Sequence, residues 1–225
     1  RLNHLQNAEM SLANLEYETY HKLVERYTAG GRPDDIVLDA GCGDGRFTIR
    51  LTELGFRNIV ALDTNFQSLV ELQRALVRRG LEDNVTLVHG TVTDLPFKDG
   101  IFQWILAIGV LYYLNEHYEV AHEQITNCLS PGGILIESEP DKQGSAVKAL
   151  VFDGVEEFES VVFENRFVEF FGDHKFRFRC FDEVEMLSYL NNELMELDSV
   201  EPIPLYPSLF VIARKKGYWQ LDAGS

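Results

Sequence analysis

Between Ile36 and Ile136 the chain alternates short apolar runs with segments of helical period, and this alternation constrains the fold more than any other feature. Ile36-Val37-Leu38 reads as a strand, followed at once by a turn with glycines at 41, 43 and 45. Phe47, Leu51 and Leu54 then recur at helical spacing, and Gly55 ends that helix. Ile59 to Leu62 reads as a second strand. Leu69, Leu72 and Leu76 mark a helix whose last turn, Arg78-Arg79 before Gly80, is basic and glycine-capped. Val85 to Val88 and Phe102 to Ile108 read as strands three and four. The wider apolar run from Ile101 to Leu114 is too short for a bilayer span, which needs about 20 residues, and has the character of a strand buried on both faces. A helix striped by Tyr118, Ala121, Ile125 and Cys128 closes at Ser130-Pro131-Gly132-Gly133, and Ile134-Leu135-Ile136 follows as strand five. Strands alternating with helices predict a parallel sheet with right-handed crossovers, a doubly wound α/β layer. Ligands of such sheets sit at the carboxyl ends of the strands.

Two segments lie outside this rhythm. Leu12 to Tyr27 has a helical pattern and carries Tyr17, Tyr20 and Tyr27. Residues 139–181 hold nine of the chain's 15 phenylalanines, and Phe176-Arg177-Phe178-Arg179 alternates like a half-buried strand. Asp182, with Glu185 three residues on, starts a helix through Leu190 as a capping box. Strands near Met195–Val200 and Leu209–Ala213 complete a single domain, a size that 225 residues suit. Its parts are an N-terminal helical cap at 1–33, a core at 34–138, a lid insertion at 139–181 and a C-terminal helix and strands at 182–225.

Composition narrows the partners. Against 20 Lys+Arg stand 36 Asp+Glu, for a net charge of -16. A field of that sign does not grip nucleic acid or an anionic membrane surface, so neither is expected as a partner. Residues 139–201 alone contain 16 acidic and 6 basic side chains, which places most of the excess in the lid and the elements after it. Solubility explains this excess; a preference for cationic ligands is the rival account. Cys42, Cys128 and Cys180 are odd in number and widely spaced, without a disulfide framework or a metal-type pair. With a polar N-terminus (Arg1, Asn3, His4) lacking a signal-peptide core, they suggest a reducing, cytoplasmic setting.

The stretch Val37-Leu38-Asp39-Ala40-Gly41-Cys42-Gly43-Asp44-Gly45-Arg46-Phe47 carries the chemistry. Its glycines leave the strand-to-helix turn without Cβ atoms, so a ligand can lie against backbone. A dinucleotide fingerprint would put its third glycine at 46, where Arg46 stands. Asp39, two residues before the first glycine, is a poor neighbour for pyrophosphate and a good one for a cation. Asp63 ends the second strand, where a carboxylate can accept from ribose hydroxyls. Asp94, beside apolar Leu95 in Thr93-Asp94-Leu95-Pro96-Phe97, can accept from an adenine amino group. Single strand-end aspartates are usually turn formers, but three at successive strands exceed what capping requires.

These motifs resemble those of class I S-adenosylmethionine-dependent methyltransferases of the small-molecule group, strongly over about residues 34–140 and loosely over the last two strands. The resemblance rests on D-A-G-C-G-D-G, Asp63, the T-D-L-P-F segment, the apolar fourth strand running into Ala107-Ile108-Gly109-Val110-Leu111-Tyr112-Tyr113-Leu114, and S-P-G-G. It implies a seven-stranded, mostly parallel Rossmann-like sheet with helices on both faces, the last strand antiparallel and the lid inserted after strand five. It implies S-adenosylmethionine as cofactor, S-adenosylhomocysteine as product, and no metal. Asp39, Gly41 and Gly43 would line the methionine side, Asp63 with Thr64 beside it the ribose, and Asp94 with Leu95 the adenine. Ile108 and Gly109 would approach the sulfonium through backbone.

A sulfonium donor is already activated, so alignment of acceptor, methyl and sulfur is the main demand, with a base for an O–H or ammonium acceptor. Candidate bases are His117, Tyr113, Glu139 and His174, with Glu137 beside them. His117 also suits a helix start, Tyr112 and Tyr113 suit pocket walls, and Glu137 and Glu139 suit solvated positions. The Phe-rich lid suits an aromatic or cationic small-molecule acceptor, although many of its rings must form its own core. Signals of a DNA methylase are missing: Ile108-Gly109-Val110-Leu111 stands where Asn-Pro-Pro-aromatic would, and Cys42 reads as a packing residue. The expected activity is methyl transfer to O or N of a small molecule. A non-catalytic cofactor-binding partner subunit and a protein side-chain methyltransferase stay open, as does oligomeric state.

Overall fold

The computed structural model describes residues 18–141, 147–149, 158–163, 166–171, 174–190, 192–203 and 208–217, with side chains described outside 147–179. Residues 18–28 form helix α1. There follow β1 (Ile36–Ala40), α2 (Arg46–Glu53), β2 (Asn58–Asp63), α3 (Phe66–Arg79), β3 (Val85–His89), β4 (Phe102–Ile108), α4 (Tyr118–Cys128) and β5 (Leu129–Pro140). After β5 come β6 (Val147–Ala149), β7 (Phe158–Phe163), β8 (Arg166–Phe171), β9 (His174–Arg179), α5 (Glu183–Leu190), β10 (Met195–Pro202) and β11 (Ser208–Lys215).

The main sheet has seven strands in the order β10-β11-β5-β4-β1-β2-β3. The first five strands pair in parallel and β11 runs antiparallel to both neighbours, as the resemblance implies. Alternation along the central strands feeds two apolar layers. Leu38, Ile105, Ala107, Leu135 and Val211 meet Tyr118, Ala121 and Ile125 of α4 and Met186 and Leu190 of α5. Val37, Trp104, Leu106, Ile136 and Phe210 meet Tyr20, Leu23 and Val24 of α1 and Leu51 of α2. Helix α1 is pinned by Tyr20 Oη, which donates to Ser208 Oγ at 2.9 Å, and by Tyr27 Oη, which donates to Ser199 Oγ at 3.0 Å and to Glu201.

The capping box forms as read: Glu185 N–H donates to Asp182 Oδ1 at 2.9 Å and Asp182 N–H to Glu185 Oε2 at 3.1 Å. Three local readings change. The inner face of α2 is Thr48, Leu51 and Thr52, with Phe47 and Leu54 only partly buried. The apolar run ending at Leu114 is not one strand: β4 stops at Ile108, Gly109 takes φ 73°, and Leu111–His117 winds into a 3₁₀ turn. Ser130 to Gly133 do not close α4 but open β5. The helix is closed by Lys215 of β11, whose ammonium donates to the carbonyls of Thr126 (2.6 Å), Leu129 (2.8 Å) and Asn127 (3.3 Å), where a cation complements the helix dipole.

The insertion placed at 139–181 leaves the main sheet after Asp141, because Glu139 and Pro140 still pair with β11, and returns at Phe181, which bridges Asp141. Its strands form an antiparallel sheet, β6-β7-β8-β9, and β9 includes the Phe-Arg alternation. Strand β9 runs against the Leu111–His117 turn at the carboxyl edge of β4. Phe181 belongs to the main core, 5.2 Å from the Tyr118 ring. Phe152, Gly172 and Asp173 lie outside the described residues, as do the side chains of His174 and the other insertion phenylalanines.

Candidate active site

The parallel strands bring the chemistry-bearing residues to one edge, and the glycine turn is its floor. Gly41, Gly43 and Gly45 all have positive φ (74°, 52° and 87°), yet for different ends. A Cβ on Gly41 would lie 2.4 Å from Val110 Cγ2, and one on Gly45 2.1 Å from Leu72 Cδ1. Those glycines let the chain pack. Among the described residues, a Cβ on Gly43 would meet nothing within 4 Å, so none of them closes that glycine's backbone to a ligand. Cys42 between them is buried, and burial, with the Asp39 and Asp63 charges, pushes its thiol far up; it is a packing residue.

Asp39 is 3 % exposed and accepts from Thr48 Oγ1 of α2 at 2.5 Å. Burial raises its pKa to about 6 in spite of the Thr48 hydrogen bonds, and the charge on Asp63 adds to the rise. Among the described residues no Lys, Arg or His pairs with it. Asp39 is thus a buried carboxylate lacking a cation beside a backbone cradle, and an ammonium such as that of S-adenosylmethionine fits it. Thr48 escaped the sequence reading, although its place in the first turn of α2, just past the glycines, made it a candidate partner.

Asp63 does more than end β2. Its Oδ2 accepts from Gly43 N–H and its Oδ1 from Asn65 N–H, both at 2.7 Å, so it ties the glycine turn to the start of α3. Each oxygen keeps a further lone pair for a hydroxyl donor. Asn65, also unmarked from sequence, caps α3 by accepting from the N–H groups of Gln67 and Ser68. Thr64 is exposed, and its carbonyl is 2.9 Å from His89 Nε2. Asp94 is exposed in a turn closed by its N–H on Thr91 O, whereas the Leu95 side chain is buried in the core and its N–H donates to Gln124 Oε1.

At the far side, Ile108 is half-buried and the exposed Gly109 donates its N–H to Ser138 Oγ at 2.8 Å. Tyr113 is 47 % exposed, with the Tyr112 ring 4.2 Å away. His117 is exposed at the N-cap of α4, as the helix-start reading has it. The solvated reading of Glu137 and Glu139 is overturned: both are fully buried, because β5 is covered on that face by α4 and α5. Glu137 Oε2 lies 2.9 Å from His122 Nε2, and the Tyr118 and Tyr189 rings enclose that imidazole at 4.9 and 5.0 Å. Arg46 turns outward to Asp44 at 3.0 Å. His174 opens β9 opposite Phe171. Direct contacts therefore join the glycine turn to Asp63 and, through Val110, to Gly109, while Asp39, on the strand that leads into the turn, holds Thr48; Asp94 and His117 are exposed.

Residues 37–133 match a family described as "Methyltransferase domain". The chain is 30% identical over 115 residues to a sterol 24-C-methyltransferase of Schizosaccharomyces pombe, covering 51% of this chain and 30% of that protein. It is 32% identical over 139 residues to a ubiquinone/menaquinone biosynthesis C-methyltransferase of Shewanella oneidensis, covering 59% of this chain and 55% of that protein. The matched stretch is thus about half, or less, of these relatives. An S-adenosylmethionine-dependent methyltransferase structure from Clostridium acetobutylicum superposes over 89% of this chain and 92% of its own with a TM-score of 0.66, a likeness of fold at 17% identity. The family match falls on the stretch that carries Asp39, Asp63 and Gly109, so it is the site-bearing part of this chain that is similar to a methyltransferase domain.

Proposed function

We propose that this protein transfers a methyl group from S-adenosylmethionine to an oxygen or nitrogen of a small molecule by in-line displacement. The observation that carries the reading is Asp39, a buried carboxylate without a cationic partner among the described residues, set beside the open face of Gly43. Asp39 would hold the amino-acid end of the cofactor, Asp63 the ribose, and the Gly109 backbone would face the sulfonium. Bound there, the sulfonium supplies an activated methyl group. The chain's own task is alignment and exclusion of water, which can supply several kcal/mol of the barrier, ~7–11 at most. The insertion supports a small acceptor, since it leaves β5 at the carboxyl edge and lays β9 against the turn after β4. The acidic surface argues against an RNA acceptor.

Calorimetric titration with S-adenosylhomocysteine tests the cofactor half: binding that Asp63→Ala weakens supports it, and no binding to the wild type ends it. Transfer of labelled methyl groups to a panel of amines and phenols, set beside RNA and peptides, tests the acceptor half. Methylation confined to RNA or peptide would overturn the small-molecule assignment.

A further inference from the structure

Strand β5 reaches into the site through a residue that no sequence motif marks. Ile108 is the last residue of β4 and its register partner on β5 is Ser138. At the next residue the chain leaves the ladder: Gly109 takes φ 73°, and its N–H donates to Ser138 Oγ at 2.8 Å instead of to a strand carbonyl. Ser138 is 2 % exposed, so this bond is shielded from water. Among the described residues, a Cβ on Gly109 would meet nothing within 4 Å, so none of them covers that stretch of backbone. The next residue, Val110, lies over Gly41 of the glycine turn. One buried hydroxyl therefore holds the place where the end of β4 and the glycine turn are set against each other through Gly109 and Val110.

We infer that Ser138 is a positioning residue for the methyl end of the cofactor site, fixing the Gly109 backbone that faces the sulfonium. The inference rests on the proposed function. Without the hydroxyl, Gly109 N–H loses its acceptor and the 109–110 segment is free to shift, while Asp39 and Asp63 on β1 and β2 keep their contacts. The damage falls on the methyl end and spares the ribose and amino-acid ends.

That division can be read without knowing the acceptor, because S-adenosylmethionine and S-adenosylhomocysteine differ only at the methyl-bearing sulfur. The experiment measures the dissociation constant of each ligand by calorimetry for wild type, Ser138→Ala, Ser138→Thr and Ser208→Ala. Ser208 is the control: a buried serine of the neighbouring strand that accepts from Tyr20 Oη and donates to the Glu139 carbonyl, away from Gly109. Ser138→Ala should change the ratio of the two constants by about fivefold, the worth of one buried hydrogen bond. Ser138→Thr, which keeps the hydroxyl, should restore the ratio, and Ser208→Ala should lower stability with the ratio unmoved. An unchanged ratio in Ser138→Ala, or an equal change in Ser208→Ala, overturns the inference. Failure of the wild type to bind either ligand would instead overturn the proposed function. If Ser138→Ala does not fold, Ser138→Cys, with a weaker acceptor, should give an intermediate ratio, and a wild-type ratio there counts against the inference.

Discussion

Replacing Asp39 by Asn should make the ligand-free protein more stable at neutral pH while weakening its hold on the cofactor. The carboxyl is held at a pKa of about 6 against an ordinary 3.8. That difference of roughly two units corresponds to ~3 kcal/mol of unfavourable ionisation in the folded state. The folded protein binds the Asp39 proton more tightly than the unfolded chain, so the stability linked to it is complete below about pH 4 and is lost as pH rises through about 6. About half of the total, roughly 1–2 kcal/mol, develops between about pH 5 and pH 7.5. Asn removes this dependence, and its carbonyl can still accept from Thr48 Oγ1. Any constant offset from the new amide cancels when the two pH values are compared. In thermal unfolding of wild type and Asp39→Asn, the difference in Tm should move in favour of Asn by ~3–6 °C from about pH 5 to pH 7.5 for a chain of this size. The same variant should bind S-adenosylhomocysteine at least about tenfold more weakly, since the ammonium loses a buried counter-charge. A Tm difference that stays constant with pH would refute the buried-charge argument, whatever happens to binding.

The same geometry sets further expectations. Gly43→Ala should lower Tm only by the strain of a left-handed alanine, about 1 kcal/mol, yet reduce S-adenosylhomocysteine affinity sharply in calorimetry, because the added methyl enters the ligand face. Gly41→Ala adds a clash with Val110 to that strain and should lose about 2–4 kcal/mol in denaturant unfolding; equal losses in the two variants would contradict the division of labour in the turn. Lys215→Met leaves the carbonyls of Thr126, Asn127 and Leu129 without their ammonium and should destabilise the protein by about 1–3 kcal/mol, with hydrogen exchange accelerating first in the last turn of α4. Uniform acceleration across the sheet would argue against a helix-capping role.

Much of this architecture is legible in the sequence. The alternation from Ile36 to Ile136 named five strands in the right places, since apolar period and glycine or proline punctuation act within a few residues. Asp182 and Glu185 announced a helix start that forms with both reciprocal hydrogen bonds, because a capping box is closed by neighbours in sequence. The glycine turn announced a ligand edge for the same reason, its positive φ values being a local demand.

What the sequence could not disclose are events between residues far apart along the chain. Strand four could be read to its last residue, Ile108, but the sequence does not disclose that Gly109 there turns away and finds Ser138, 29 residues on. Ser-Pro-Gly-Gly had every mark of a helix stop, yet Lys215, 86 residues beyond Leu129, performs that task. The sequence leaves Glu137 and Glu139 open between candidate bases and solvated side chains; they are dry because β5 is covered by α4 and α5 and Glu137 faces His122. Asp63 could be marked as a ligand contact from its place after β2, but its grip on Gly43 exists only once β1 and β2 lie side by side. Local period and turn chemistry thus determined the elements and the edge at which ligands sit. Strand register and burial, which depend on the whole sheet, decided that Asp39 is buried without a cation among the described residues, that none of these crowds Gly43, and that Ser138 holds the Gly109 backbone.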